Sequence, residues 1–156
     1  FLPHGQGRSR LRRNCLRDLK KRLYCLTNKI HNRERLKSRK EIGRLFGKDG
    51  RAVKSVPIRL AYAETEEMRG TFPFQAAFVV PKRRFKKAVD RNLIKRRMRE
   101  AYRLQKHLIG AHSEEGDVPK QQYSLLFIYT GKEAMPFKYI ERKMVKVLED
   151  LRQKLG

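Results

Sequence analysis

The sequence predicts an α+β fold, a two-layer α/β sandwich in which helices pack against one small sheet. Three observations support this prediction. In "PIRLAYA", Ile, Leu and Tyr alternate with Arg and Ala, which indicates a half-buried strand. "YSLLFIYT" is almost continuously apolar, which is typical of a strand buried on both faces. Two long segments, residues 89–108 and 136–155, repeat apolar residues at helical intervals.

The first half of the predicted domain contains one helix and its first strands. "RERLKSRKEIGRLFGKDG" places Leu and Ile at near-helical intervals and ends in Gly47 and Gly50, which are helix stop signals. The strand "PIRLAYA" comes next, and a further strand is expected just before it, around residues 51–56. The acidic "ETEEMRG" predicts a turn, and "FQAAFVV", which Pro81 closes, predicts another strand.

The second half supplies a long helix, a strand and a final helix. "VDRNLIKRRMREAYRLQKHL" predicts the long helix, with Asp90 near its start, and "AHSEEGDVPKQQ" predicts a polar loop before the apolar strand. Pro136 suits the first turn of the last helix. The predicted order is therefore α-β-β-β-α-β-α. The core stripe of the last helix is Phe137, Ile140, Met144, Val147, Leu148, Leu151 and Leu155.

Residues 1–32 differ in composition from the predicted domain, residues 33–156. The stretch from Gly5 to Asn32 holds nine Lys or Arg and one acidic residue, which predicts a flexible basic extension. An amphipathic helix that lies on RNA or on a partner is the alternative, because apolar residues recur there three and four apart. These residues are Leu16, Leu19, Leu23, Leu26 and Ile30.

The charge of the chain predicts a polyanionic partner. The formal net charge is +24, while 39% of the residues are hydrophobic, enough for a folded core. Nucleic acid is the leading candidate partner, ahead of an anionic membrane surface. We expect a cytosolic protein, because no apolar run is long enough to span a membrane and no signal-peptide core is visible. Cys15 and Cys25 have no CxxC partner, so we expect reduced thiols rather than a metal site or a disulfide.

The stretch "AVDRNLIKRRMREAYR" sorts its charge onto one side of a helix. On a helical wheel of 100° per residue, the basic residues fall on one arc and the apolar residues on the opposite arc. Arg97 is the exception, because it lies among the apolar residues. Like charges at i,i+4 destabilise an isolated helix, so this face is expected to bind an external anion. The face comprises Arg91, Asn92, Lys95, Arg96, Arg99, Arg103 and Lys106, and the loop before it adds Lys82, Arg83, Arg84, Lys86 and Lys87. The apolar arc comprises Leu93, Ile94, Met98, Ala101, Leu104 and Leu108.

"KKAVDRNLIKRRMREAYR" resembles the signature of the bacterial ribonuclease P protein subunit. "ERLKSRKEIGRLFGKDG", "PIRLAYA" and "LLFIYTGKEA" are similar to other parts of that family, so the resemblance spans residues 33–153. The signature positions that match are Lys87, Ala88, Val89, Arg91, Asn92, Lys95, Arg96, Arg99, Glu100 and Arg103.

The resemblance implies a fold like the second domain of ribosomal protein S5, with a left-handed crossover. It also implies a cytoplasmic bacterial protein that binds ribonuclease P RNA and precursor tRNA, with no membrane and no obligate protein partner. Catalysis would belong to the RNA, with Mg²⁺ held by the RNA and the substrate, so neither a catalytic residue nor a protein metal site is expected. The residues implied to bind the RNA subunit are Lys82, Arg83, Lys87, Arg91, Asn92, Lys95, Arg96, Arg99 and Arg103. The residues implied to bind the single-stranded 5′ leader of precursor tRNA are Ile42, Phe46, Arg59, Ala61 and Lys132.

Three positions depart from the family pattern. Ile42 and Ala61 stand where the family often has aromatic residues, which predicts weaker stacking on leader bases, with Arg59 compensating through a phosphate contact. Leu93 replaces the last Arg of an "RNR" signature, and the helical wheel places it on the buried arc. That replacement is therefore expected to cost little RNA affinity.

Two other functions are weighed against this one. A ribosomal protein or general RNA chaperone would use the same basic face without preferring 5′ leaders. An autonomous nuclease would need converging acidic residues, but Glu66 and Glu67, like Glu114 and Asp117, lie in polar loops. No histidine has a clear acid–base partner, and Tyr102 is assigned equally to stacking on a base and to packing on the sheet.

Overall fold

The computed structural model describes residue 30, residues 32–110 and residues 120–156. Predictions for residues 1–29, for His31 and for most of the polar loop lie outside these ranges, including those for both cysteines. The described chain contains three α-helices, four strands and two 3₁₀ segments. The helices are α1 (Arg39–Phe46), α2 (Ala88–Gln105) and α3 (Phe137–Leu155), and the 3₁₀ segments are Asn32–Glu34 and Lys106–Ile109. The strands are β1 (Arg51–Ser55), β2 (Ile58–Glu64), β3 (Phe74–Val79) and β4 (Tyr123–Tyr129).

One mixed sheet organises the domain, with strand order β1-β2-β4-β3. β1 pairs with β2, and β2 with β4, in antiparallel fashion, whereas β3 and β4 are parallel. A parallel pair needs a crossover connection, and α2 lies in that connection. The α+β prediction is confirmed, together with the strand expected around residues 51–56. The left-handedness of the crossover stays a prediction.

The main core lies between α2, α3 and one face of the sheet. Alternate residues of the strands supply its floor, among them Leu60, Leu125 and Phe127, each fully buried. The helices add Met98 and Met144 with no exposed surface. β4 is buried on both faces along most of its length, because Ser124 and Leu126, which point away from the main core, are also fully buried, as the continuous apolar run predicted.

A smaller apolar cluster lies on the opposite face of the sheet, beneath α1. Leu45 of α1 and Leu36 pack there on Ala61, Ala63 and Leu126. The small Ala side chains let the helix approach the strands closely. Gly50, just after α1, is also required at close range, because a Cβ there would lie 2.3 Å from the carbonyl oxygen of Leu45.

The helix predicted to start near residue 33 begins only at Arg39. Ser38 caps it, and the Ser38 hydroxyl accepts a hydrogen bond from the Glu41 N–H at 3.5 Å. Residues 35–37, which follow the first 3₁₀ segment, are extended instead: Leu36 N–H donates to the Ala76 carbonyl of β3 at 3.0 Å. The prediction of helix there was wrong because "RERLK" alternates exposed and buried residues with period two, the pattern of a strand.

A buried ion pair fixes the 3₁₀ segment that precedes these extended residues. The Lys106 ammonium donates to both carboxylate oxygens of Glu34, at 3.0 and 3.2 Å. Glu34 and Lys106 are only 3% and 4% exposed. The pair therefore attaches the first 3₁₀ segment to the turn that ends α2. Lys106 was predicted to extend the basic face of the helix, and its burial shows that this was wrong.

Breaking this ion pair on one side should strongly destabilise the domain. Lys106→Met leaves the Glu34 carboxylate buried without its ammonium, so we expect a loss of about 3–5 kcal/mol in the free energy of unfolding, measured by urea denaturation. The double variant Lys106→Met/Glu34→Leu removes both charges and should regain most of that loss. Equal destabilisation by the single and double variants would contradict this account.

Candidate nucleic-acid interface

The open part of the α1 face is a row of four side chains that crosses the whole sheet. Lys54 is paired with Arg59, Arg59 with Ile128, and Ile128 with Val79. Paired residues on neighbouring strands point to the same face, so the four side chains form a continuous row. Lys54 and Arg59 are exposed, and Ile128 and Val79 are half-buried. The row therefore combines two cations with an accessible apolar surface.

α1 packs on the sheet beside this row, and the surface between them is called the cleft below. Ile42 is half-buried against the apolar cluster, and the Phe46 side chain is 62% exposed. Ala61 belongs to the next row of the sheet, where it is paired with Leu126 and is only 3% exposed. Ile42, Phe46 and Arg59 thus have surface available for a ligand, whereas Ala61 forms part of the covered floor.

Lys132 is exposed on the segment that follows β4, and buried contacts hold this segment in place. The Tyr129 hydroxyl donates to the Glu133 carbonyl at 2.5 Å and accepts the Met135 N–H at 3.2 Å. Burial is the main reason that the pKa of Tyr129 is raised. A Cβ on Gly131 would lie 2.8 Å from the Tyr129 ring, so only glycine lets the chain pass over the ring this closely.

Arg97, the exception on the helical wheel, also contacts this segment. Its guanidinium donates to the Met135 carbonyl at 2.6 Å, and the residue is half-buried. The contact attaches α2 to the chain that carries Lys132. A charged residue among apolar positions of the wheel was the available sequence signal, but its partner, 38 residues later, was not visible in the sequence.

The basic loop, residues 82–87, joins β3 to α2 and is held by Arg84 of the loop and Arg91 of α2. Phe85 is buried against the Tyr129 ring and anchors the loop. The Arg91 guanidinium donates to the Phe85 and Lys86 carbonyls at 2.8 and 2.7 Å, and the Arg84 guanidinium donates to the Thr130 carbonyl. The remaining cations of the loop are exposed: Lys82, Arg83, Lys86 and Lys87.

The basic loop and Lys132 meet at the same edge of the sheet. The loop follows β3, and Lys132 follows β4; because these strands are parallel, their carboxyl ends lie side by side. The Val79–Ile128 pair, part of the open row, lies at those same ends. The structure therefore brings the cleft and the basic loop together, although their residues are far apart in the sequence.

The exposed face of α2 is rotated relative to the wheel prediction. Asn92, Arg96 and Arg99 are exposed, as expected, while Leu93 is 38% exposed and was wrongly placed on the buried arc. The rotation arises because Tyr102 is a core residue, 1% exposed. Its ring lies 5.3 Å from that of Phe127 and 5.8 Å from that of Phe78. Of the two roles considered for Tyr102, packing on the sheet is the one observed.

Three of the predicted RNA-binding cations on α2 are half-buried: Arg91, Lys95 and Arg103. Arg103 is paired within the helix, where its Nε donates to a Glu100 carboxylate oxygen at 3.0 Å and its Nη2 to the other. The hydrogen bond from Arg103 lowers the pKa of Glu100, opposed by partial burial, and Glu100 raises the pKa of Arg103. Both groups therefore stay charged and largely neutralise each other, which leaves Arg96 and Arg99 as the most available cations of the helix.

Within residues 32–110 and 120–156, no three His, Cys, Asp or Glu side chains are grouped closely enough to hold a metal ion. In the same part of the chain, no helix is both long and apolar enough to cross a membrane.

Comparison with known proteins identifies a family. The model of the family described as Ribonuclease P matches residues 30–152. The chain is 39% identical over 116 residues to the ribonuclease P protein component of Porphyromonas gingivalis, covering 74% of this chain and 80% of that protein. It is 34% identical over 114 residues to the ribonuclease P protein component of Chlorobaculum tepidum, covering 70% and 73% of the two chains.

Solved structures show the same fold at lower sequence identity. The RNase P protein of Staphylococcus aureus has a TM-score of 0.58 and 22% identity, with 76% of this chain and 95% of that chain covered. The RNase P protein of Thermotoga maritima also has a TM-score of 0.58 and 22% identity, with 76% and 97% covered.

Removing the Tyr129 hydroxyl should loosen the segment that carries Lys132. Tyr129→Phe leaves the Met135 N–H without this acceptor and the Glu133 carbonyl without this donor. We expect a loss of about 1–3 kcal/mol in the free energy of unfolding and faster amide exchange at Met135. Tyr139→Phe, which removes a hydroxyl from α3, is the matched control and should change neither quantity appreciably. Unchanged exchange at Met135 in Tyr129→Phe would contradict the anchoring role.

Proposed function

The chain belongs to the ribonuclease P protein family, and from that premise we propose that it is the protein subunit of a bacterial, cytoplasmic ribonuclease P. In this proposal it binds the catalytic RNA and the 5′ leader of precursor tRNA, and it assists endonucleolytic removal of the leader to give mature tRNA 5′ ends. The observation that carries the proposal is the meeting of the basic loop, the cleft and Lys132 at one edge of the sheet.

The RNA-subunit contact is assigned to the basic loop and the exposed face of α2. The exposed members of the predicted set are Lys82, Arg83, Lys87, Asn92, Arg96 and Arg99. Lys and Arg neutralise phosphates and release counterions, so this surface supplies affinity that falls steeply with salt. Arg91 contributes indirectly, because its hydrogen bonds to Phe85 and Lys86 hold the loop in place.

The cleft is assigned to the single-stranded leader. A strand lying along the open row would place its phosphates near Lys54, Arg59 or Lys132 and its bases against Ile128, Val79 and the Phe46 ring. Bases of any identity can stack on an aromatic ring, and cations contact phosphates whatever the nucleotide sequence. Such a surface suits leaders of varied sequence. Covered Ala61 and aliphatic Ile42 offer no ring for stacking, so Phe46 would be the main stacking residue of this cleft.

The chemistry of cleavage is assigned to the RNA. We propose that Mg²⁺ is held by phosphates of the RNA subunit and the substrate, where it would activate the attacking water and stabilise the leaving oxygen. The residues of this chain bind, orient and partly neutralise the two RNAs, and no side chain is assigned a proton-transfer role.

Reconstitution tests the proposal directly. A matched bacterial ribonuclease P RNA should cleave precursor tRNA poorly at low Mg²⁺, and addition of this protein should restore cleavage at the 5′ end of the mature sequence. The protein with Mg²⁺ but without the RNA should leave the substrate intact. Absence of rescue would favour a general RNA-binding protein, and cleavage by the protein alone would indicate a nuclease.

The availability of individual cations can be read from the salt dependence of binding to the RNA subunit. Arg99→Gln should weaken binding and lower the slope of log K against log salt by about one. The double variant Glu100→Gln/Arg103→Gln removes a neutral pair and should leave the slope almost unchanged. If the double variant lowered the slope as much as Arg99→Gln does, Arg103 would be contacting phosphate despite its pairing with Glu100.

A further inference from the structure

A second basic concavity lies at the other end of β3, away from the basic loop. It has a volume of about 420 Å³, and its lining includes Arg33, Arg35, Lys37 and Arg69, with Ser38 and Gln75 beside them. None of these residues belongs to the predicted RNA-binding or leader-binding sets. Gln75 is the second residue of β3, whereas the basic loop begins after the last, so the two regions are separated by roughly the length of a six-residue strand, ~17 Å.

Three cations of this pocket come from the chain before α1: Arg33 lies in the first 3₁₀ segment, and Arg35 and Lys37 lie in the extended residues that follow it. Arg33, Arg35 and Lys37 are exposed, while Glu34 and Leu36 between them are buried. Arg35 forms a parallel bridge with Ala76, so this segment lies beside the outer edge of β3. Side chains two residues apart on an extended chain, such as Arg35 and Lys37, are ~7 Å apart on the same side. Arg33, Arg35 and Lys37 all line the pocket, so this part of the chain presents three cations to one concavity.

Buried amides fix the backbone on both sides of the pocket. The Gln75 side-chain amide, in a residue only 6% exposed, donates to the Arg33 and Arg69 carbonyls at 3.2 Å each. Gln122, 1% exposed, donates to the Arg69 carbonyl and accepts the Arg69 N–H, both at 2.8 Å. These bonds connect the segment before α1 to the loop after β2, so that Arg33 and Arg69 flank one concavity.

The positive charge of the pocket is poorly compensated within the described chain. The Arg69 guanidinium lies 3.8 Å from the Glu67 carboxylate, and both side chains are largely exposed, so this ion pair contributes little. Among the described residues, no carboxylate lies within ion-pair distance of Arg33, Arg35 or Lys37. Four cations around one concavity with a single weak counter-charge favour binding of an anion, and the planar guanidinium suits phosphate oxygens.

We propose that this pocket is a second phosphate-binding site that holds the backbone of an RNA strand. Three cations that line one concavity can contact successive phosphates of a strand, whereas a single free anion would engage only part of the set. The identification of the strand as RNA rests on the proposed function. The two buried glutamines give the site a fixed backbone, so the cations need little rearrangement to bind.

The test uses an unstructured single-stranded RNA of about 20 nucleotides and two matched triple variants of the full chain. The pocket variant is Arg33→Gln/Arg35→Gln/Lys37→Gln, and the control variant is Lys138→Gln/Arg142→Gln/Lys146→Gln. Each variant removes three exposed cations, so the change in net charge is the same. We expect the pocket variant to lower the salt slope by about two and the control to lower it by less than one. Equal slopes for the two variants would overturn the proposal.

A titration with inorganic phosphate separates a phosphate-group site from an RNA-backbone site. We would follow the backbone amide signal of Gly70 and the side-chain amide signals of Gln75. Phosphate should shift these signals weakly, whereas the RNA should saturate the shifts at a far lower concentration. If phosphate saturates these signals and the pocket variant leaves the RNA salt slope unchanged, the pocket is a free-anion site, and the assignment to RNA is overturned. Because the RNA used is neither a precursor tRNA nor a ribonuclease P RNA, failure here is distinguishable from failure of reconstitution. The conservative variant Arg33→Lys/Arg35→Lys should keep the salt slope, which controls for loss of the fold.

Discussion

The parallel pairing of β3 with β4 determines the course of the chain and the position of its basic surface. Parallel strands cannot be joined by a tight turn, so the chain must leave β3, cross one face of the sheet as α2 and return to β4. This connection supplies both the basic loop and the basic helix. It also places the ends of β3 and β4 side by side, which brings the loop, Lys132 and the open row of the sheet to one edge.

The chain uses several arginines to hold its own structure, in spite of a net charge of +24. Arg84, Arg91 and Arg97 donate to backbone carbonyls, and Arg103 is paired with Glu100. Each contact lies in or beside the proposed RNA surface. The cations left exposed are therefore mounted on restrained backbone, which reduces the entropy that binding must otherwise overcome. Some arginines hold the backbone in place and others remain exposed, and this combination makes the surface suited to RNA.

Much of the fold was predictable because the strand and helix periods are strong in this sequence. "YSLLFIYT" and the stripe of α3 became a central strand and a packed helix, since burial there depends only on local pattern. Two of the wrong predictions concerned residues whose burial or exposure depends on distant partners. Lys106 is buried because Glu34 lies opposite it, 72 residues away, and Leu93 is exposed because Tyr102 turns the helix toward Phe78 and Phe127. The two-residue period of "RERLK" was visible in the sequence, but the prediction extended the helix over it because the residues that follow have helical spacing.

We propose that the exposed face of α2 contacts the catalytic RNA and that the segment after β4 contacts the leader. Site-specific photo-cross-linking can distinguish the two contacts, with a photoreactive amino acid replacing either Arg99 or Lys132 in the reconstituted complex with precursor tRNA. We expect position 99 to cross-link to the RNA subunit and position 132 to the 5′ leader. Cross-linking of both positions to the same RNA, or the reverse assignment, would contradict this proposal.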